Sequence, residues 1–320
     1  MSAPSTMAKR PPRTYRAPRP LGGRGRISPR ARRTTAAICF LLPALVVLGT
    51  FVGYPMLAAL RTSFFEASGF GPEQWVGLGN YVEVFTDATL LKAMANTALY
   101  AVLFTPIAIA VSLAVALLVN DPRLPFRGLL RSALFFPFIV SMAVAAFAWG
   151  YLIDPQVGLL NSWLRGIGIR LGDVLNDPAL AMPTVVLVAV WKSFGFYMVV
   201  FVAGLQDIPA SLYEAARMDG AGPLRRLTGV TLPLLNNTMT FVVIFALIAA
   251  LQAFDQIYVL TQGGPFHATD TVVTQIYDLG FKELDLGTAS ALSYVLLIAT
   301  LVLSLIQFFA GSRREQELGS

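Results

Sequence analysis

The chain has 320 residues, 56% of them hydrophobic and 13% charged, where soluble domains carry about 25% charged residues. No soluble core of this size hides so much apolar surface, so lipid is its natural solvent. A single cysteine, Cys39, and a single histidine, His267, exclude a disulfide framework within the chain, a cysteine metal centre and a histidine cluster for zinc or haem.

Residues 1–35 form a basic tail that holds Lys9, Arg10, Arg13, Arg16, Arg19, Arg24, Arg26, Arg30, Arg32 and Arg33 and no acid. It is rich in Arg, Pro, Gly and Ser and lacks apolar periodicity, so it is expected to be disordered. Ahead of a membrane helix, such a run reads as a topology signal and a contact for anionic lipid, not as a nucleic-acid site. Arg32-Arg33 also looks like a twin-arginine export signal, but the apolar run behind it is too long and five more follow. It is therefore read as an uncleaved first helix.

Charge-free runs lie at 34–60, 93–120, 132–153, 227–254 and 286–312, and a sixth, 178–206, is interrupted only by Lys192. Each exceeds the roughly 20 residues that cross the hydrocarbon layer, and none alternates in polarity as a barrel strand does. The sequence predicts an all-α integral membrane fold of six helices, with cores near 37–60, 96–119, 132–153, 182–205, 237–259 and 288–310. Pro43, Pro55, Pro137 and Pro183 lie in or at the ends of these runs, where kinks are expected. Cys39 is read as a small apolar packing residue, and His267 as an incidental polar residue of an outer loop.

Lys and Arg set the orientation. The tail, then Arg123, Arg127 and Arg131, then Arg217, Arg225 and Arg226, and finally Arg313 and Arg314 fall on one side; Arg61, Lys92, Arg165, Arg170 and Lys282 fall on the other. The richer side marks the cytoplasm, so both termini are expected inside, as an even number of spans requires.

The loop between the fourth and fifth spans, residues 206–235, is the most informative segment. Ser211 followed by Glu214 fits a capping box with Leu212 as the first helical residue, and Ala215, Ala216, Arg217 and Met218 favour helix. Gly220 supplies a stop, and Pro223 suits the first turn of a second short helix. An ordinary connection between spans has no need of a capped helix, a glycine corner and a second helix. This protrusion suggests docking.

Glu214-Ala215-Ala216, then Gly220 after three residues, then Val230-Thr231-Leu232-Pro233 after nine, resembles the EAA motif of ABC importer permeases. Val76-Gly77-Leu78-Gly79-Asn80-Tyr81, Trp191, the stretch 203–209, the stretch 254–265 ending in Gly263-Gly264-Pro265, and Leu286-Gly287-Thr288-Ala289-Ser290-Ala291 are similar to the carbohydrate branch of that family. The resemblance covers about 36–312, leaving a short tail at 313–320. It implies a type I importer fold in the plasma membrane of a prokaryote. The implied partners are a homologous second permease, an ATPase dimer and an extracytoplasmic solute-binding protein. The implied coupling residues are Glu214, Ala215, Ala216, Arg217, Asp219, Gly220 and Pro233. No GxxxxGK[S/T] pattern occurs, so ATP and Mg are expected in the partner ATPase; no catalytic, cofactor or metal site is expected in this chain.

Lys192 falls near the middle of a span, where a charge costs a few kcal/mol, so it is expected to face a substrate cavity or a structural polar partner. Asp255 is a candidate counter-ion. Phe194, Phe196 and Tyr197, with Phe254, Gln256 and Tyr258, offer rings and amides that suit a sugar, and Ser290 and Ser293 are further candidates. The expected function is a sugar or oligosaccharide importer subunit, with glycerol 3-phosphate as the alternative cargo and a stand-alone channel or secondary transporter ranked below.

Overall fold

The computed structural model describes residues 29–318 except Phe70, Arg170 and Leu171, with side chains described from 38 to 311. The basic residues before 29 and the Arg170 assigned to the outer side lie outside the described residues, as do the side chains of Arg30, Arg32, Arg33, Arg313 and Arg314. The chain divides into two compact units, residues 1–57 and 58–320.

In the first unit, α1 (Pro29–Leu48) passes into a wide π turn, Gly49–Gly53, before α2 (Tyr54–Thr62) begins. The turn closes with Tyr54 N–H donating to the Gly49 carbonyl, five residues back. Pro55 explains it. A proline has no N–H for the carbonyl four residues earlier and its ring presses on that group, here Phe51, so the turn widens. The apolar side chains of α1 point outward; Phe40 is 88% exposed and Leu45 61%, and Cys39 is exposed beside them instead of packed. By length and composition Ile38–Thr62 is a candidate membrane span.

The second unit opens with a two-stranded hairpin, β1 (Phe65–Glu66) and β2 (Gln74–Trp75), antiparallel with Phe65 opposite Trp75. α3 (Gly79–Val84) leads to α4 (Ala88–Val119), which starts earlier than its charge-free run because Asp87 caps it, accepting from Thr89 N (2.8 Å) and Leu90 N (2.9 Å). Next come α5 (Arg127–Ile139), α6 (Met142–Ile153) and α7 (Leu159–Gly166), and then α8 (Ala181–Gln206). α4 and α8 form the centre. Tyr100, Phe104 and Ala108 of the first bury against Val186, Met198 and Phe201 of the second. Ser112 of α4 donates to the Phe194 carbonyl of α8 at 3.0 Å. At Gly195 of α8 the backbone of α5 comes so close that a Cβ would lie 2.3 Å from the Leu134 carbonyl oxygen. Small residues at such crossings are how membrane helices gain contact when lipid gives no hydrophobic drive.

Among the described residues, four helices are long and apolar enough to cross a membrane, and the number reaches six if two bent pairs each count as one span. Six helices with kinks at prolines are expected from the sequence; the third and fifth runs are broken outright. The third run breaks at Val140 and Ser141, and α5 and α6 meet at 95°. Pro137, three residues short of the break, leaves the Ala133 carbonyl without its helical donor and weakens the last turn of α5.

The fifth run is broken at both ends. After α9 (Ala210–Met218), the pieces α10 (Pro223–Arg226) and α11 (Leu232–Leu234) flank a second π turn, Leu227–Thr231, and this arm meets α12 (Asn236–Leu251) at 72°. The predicted core 237–259 then ends at Leu251, and the chain restarts as α13 (Asp255–Leu260). Thr271 Oγ1 donates to the Ala253 carbonyl at 3.2 Å, satisfying a group freed by the gap. α14 (Val272–Tyr277), with a capping box between Thr271 and Thr274, and α15 (Leu286–Leu318) complete the chain.

Candidate functional site

Two regions gather the residues singled out in the sequence. The first is the 206–235 loop. The expected capping box is not formed: α9 starts at Ala210, Pro209 occupies the cap with extended backbone, and no side chain caps the helix. Proline's fixed φ suits that position, so the helix begins two residues early and Ser211 falls inside its first turn. The glycine corner forms as expected. Gly220 has φ +74°, its N–H donates to Arg217 O (3.0 Å), and Ala221 N–H donates to Ala216 O (2.9 Å), which is a Schellman closure. Pro223 opens α10 with Gly222 as its cap.

No residue of α9 is buried, and Met218 is 89% exposed. Glu214, Ala215, Arg217, Asp219 and Gly220 face outward, with Ala216 and Pro233 half-buried. One polar tie, Tyr213 OH to Thr231 Oγ1 at 3.1 Å, joins α9 to the returning arm. Between them opens a groove of about 840 Å³ whose wall includes Arg217, Arg226, Tyr213 and Arg123. The π turn in this arm repeats the device of the first unit: Leu232 N–H donates to the Leu227 carbonyl, and Pro233 is the next residue.

The second region is a cavity of about 280 Å³ among α4, α5, α6, α8 and the gap between α12 and α13. It brings together Lys192, Tyr197, Phe254 and Asp255, as the sequence suggested. Lys192 Nζ sits 4.7 Å from the centre of the Phe138 ring, and no ion pair within 4.0 Å links it to Asp255. A cation over a ring face regains part of its lost hydration through the ring's quadrupole. Gln256 Nε2 donates to Tyr100 OH at 2.8 Å.

Two of the three helix breaks open onto this space, Phe138 and Met142 flanking one and Gln252, Phe254 and Asp255 forming the other. Interrupted membrane helices are tolerated where freed backbone lines a cavity, which is where solute sites form.

Phe194, Phe196, Tyr258, Ser290 and Ser293 do not line this cavity. Phe196 stacks on Phe138 (4.8 Å) and packs into the core, and Tyr258 stacks on Phe254 (5.2 Å) beyond the cavity. Ser293 donates to its own helix at Ala289 O. Sequence reasoning missed Tyr100, Phe104, Phe138, Met142 and Gln252. Gln252, a polar residue inside an apolar run, and Pro137 beside Phe138 were the signals available. His267 is not incidental: its Nδ1 meets the Asp270 carboxylate, which also accepts from Gln275 Nε2 (3.0 Å), and its carbonyl accepts from Asn96 Nδ2 (2.9 Å).

Residues 107–315 match the family described as binding-protein-dependent transport system inner membrane component, well over half of the chain. The chain belongs to this family. The permease is 36% identical over 282 residues to the probable ABC transporter permease protein YurN of Bacillus subtilis (strain 168), covering 86% of this chain and 96% of that protein. It is 35% identical over 312 residues to the diacetylchitobiose uptake system permease protein NgcF of Streptomyces coelicolor, covering 92% and 88%. Over 270 residues it is 37% identical to the sn-glycerol-3-phosphate transport system permease protein UgpA of Yersinia pestis, covering 84% and 91%. The permease also shares its fold with a chain of a solved bacterial ABC transporter that imports the acidic polysaccharide alginate, with TM-score 0.80, 24% identity, and 89% and 97% of the two chains covered. It is an inner-membrane transport subunit.

Proposed function

We propose that the permease supplies half of the translocation pathway of an ATP-driven importer for a sugar or oligosaccharide. Its domain 36–312 spans the plasma membrane of a prokaryote six times, the two bent pairs each counting as one span, with residues 1–35 and 313–320 in the cytoplasm. A homologous permease supplies the other half, a solute-binding protein delivers cargo from outside, and an ATPase dimer holds ATP and Mg. The observation that carries this reading is the cavity at two of the helix breaks, where Lys192, aromatic rings and amides converge. Relatives named for diacetylchitobiose and lactose support the cargo class.

The 214–233 loop is the coupling element. Its exposed α9 seats on the ATPase through Glu214, Ala215, Ala216, Arg217, Asp219 and Gly220, while Pro233 returns the chain to the membrane. Motion imposed on α9 reaches the cavity by a short path, because α9 continues α8, which carries Lys192, and the returning arm continues α12, which ends at the cavity's second break. A permease that transports fully in proteoliposomes without any ATPase would overturn the reading; co-purification with an ATPase and loss of uptake on its removal is the expected result.

A second reading keeps the importer and changes the cargo to glycerol 3-phosphate, favoured by the Lys192 cation and by the likeness to UgpA. On that reading Lys192→Ala lowers uptake of the phosphate ester about tenfold, the loss of roughly 1.4 kcal/mol of charge-assisted binding, and leaves neutral sugars near wild type. Equal uptake of both cargoes by wild type and variant removes it.

A further inference from the structure

The cavity does not end at Phe254. A run of rings leads away from it: Phe254 stacks on Tyr258 with centroids 5.2 Å apart, both meet Tyr277 at 5.4 and 5.1 Å, and Tyr277 stacks on Phe281 at 5.3 Å. Burial grades along the run. Phe254, Tyr258 and Tyr277 are half-buried, and Phe281 at the far end is 75% exposed. An aromatic ring built only for packing is closed over, as Phe201 is in the core at 0% exposure. This run keeps part of each ring open.

The run is also polar at its edge. Lys282 Nζ lies 5.5 Å from the Tyr258 ring centre and 5.8 Å from that of Tyr277, and Asp278 Oδ1 holds the same ammonium at 2.6 Å. Ring faces beside phenol hydroxyls and a neutralised ion pair suit a pyranose, whose C–H face stacks while its hydroxyls hydrogen-bond at the rim. They suit a lipid chain poorly.

We propose that Phe254, Tyr258, Tyr277 and Phe281 form a saccharide track that feeds the Lys192 cavity, so that the importer takes oligosaccharides in preference to single sugars or small polyols. This deepens the sugar reading above and rests on it. Phe281 receives the leading sugar unit, Tyr277 and Tyr258 carry it inward, and Phe254 hands it to the cavity. Lys282 and Asp278 bond hydroxyls at the entrance without selecting for charge.

The test uses the intact importer, with its partner permease, ATPase and binding protein, in proteoliposomes. A labelled panel of mono-, di-, tri- and tetrasaccharides, with glycerol 3-phosphate, is offered to wild type and to Tyr277→Ala, Phe281→Ala and Phe281→Trp. Each lost ring is expected to lower tri- and tetrasaccharide uptake roughly two- to tenfold, to lower monosaccharide uptake by less, and to leave ATP hydrolysis stimulated by the binding protein intact. Phe281→Trp, which keeps a stacking face, restores uptake. Oligosaccharide uptake that survives both alanine variants overturns the track while the sugar reading stands. Loss of the partner permease from the purified variants also overturns it, by assigning the rings to the subunit contact. No uptake of any saccharide by the wild-type importer sinks the sugar reading itself, and the track with it.

Discussion

Gly220→Val is expected to lower coupled uptake about tenfold or more while the chain still inserts and folds. Gly220 closes α9 at φ +74°, and a Cβ there meets nothing within 4 Å. Space is therefore not the constraint; backbone conformation is. An L-residue in the left-handed region costs roughly 1–2 kcal/mol, and a β-branched one more. The strain is relieved by opening the Schellman closure, which re-aims α9 relative to the arm that carries Arg225 and Arg226. A free-energy change of about 1.4 kcal/mol in docking is tenfold in affinity for the ATPase. Gly220→Asn is the matched control, since Asn adopts the left-handed conformation readily. Uptake and stimulated ATP hydrolysis in proteoliposomes are the readouts. Equal behaviour of the Val and Asn variants counts against a coupling role for the corner.

The second large effect lies inside the membrane domain. Gly195→Leu is expected to prevent the central helices from packing, with most of the protein lost before purification. The Leu134 carbonyl oxygen and the Phe135 Cα stand 2.3 and 2.9 Å from where a Cβ would sit. Both are backbone atoms, so no rotamer change relieves the overlap and α5 must move away from α8. Overpacking where side chains can adjust costs about 1–3 kcal/mol, and a backbone clash exceeds that range. Gly195→Ala is expected to lower the melting temperature without abolishing folding, read by fluorescence-detected size exclusion after heating. An unaltered melt for Gly195→Ala would show that α5 and α8 separate freely at this crossing.

Much of this architecture was written in apolar runs and charge placement. Four candidate spans occur where the runs at 34–60, 93–120, 178–206 and 286–312 place them. Periodicity could not reveal the interruptions, because a break within an apolar run leaves composition unchanged. Val140 and Ser141 end α5 with ordinary residues, and Phe254 leaves helical geometry with φ −135° because Thr271, seventeen residues on, is there to bond the freed Ala253 carbonyl. The 206–235 loop was legible in its glycine and prolines, since each has one strong conformational demand. Its N-terminus was not, because Ser211 satisfies a capping pattern that Pro209 pre-empts. For the cavity, Lys192 announced itself by the cost of a buried charge. Tyr100 and Phe138 look like any membrane aromatic until the fold places them together.

The two wide turns before Pro55 and Pro233 bear on how faces of the chain are aimed. A π turn takes in one residue beyond what an α-helix would use, and one residue is about 100° of rotation about the axis. Side chains before and after Leu227–Thr231 are thus out of phase by more than a quarter of a revolution. Arg226 addresses the groove under α9 while, past the turn, Leu235 is fully buried in the core. The proline acts as an indexing device. It sets the angular offset between the surface that lines the groove under α9 and the surface held by the neighbouring helices, so that a single-residue deletion there would turn one against the other without placing a charge in any apolar run.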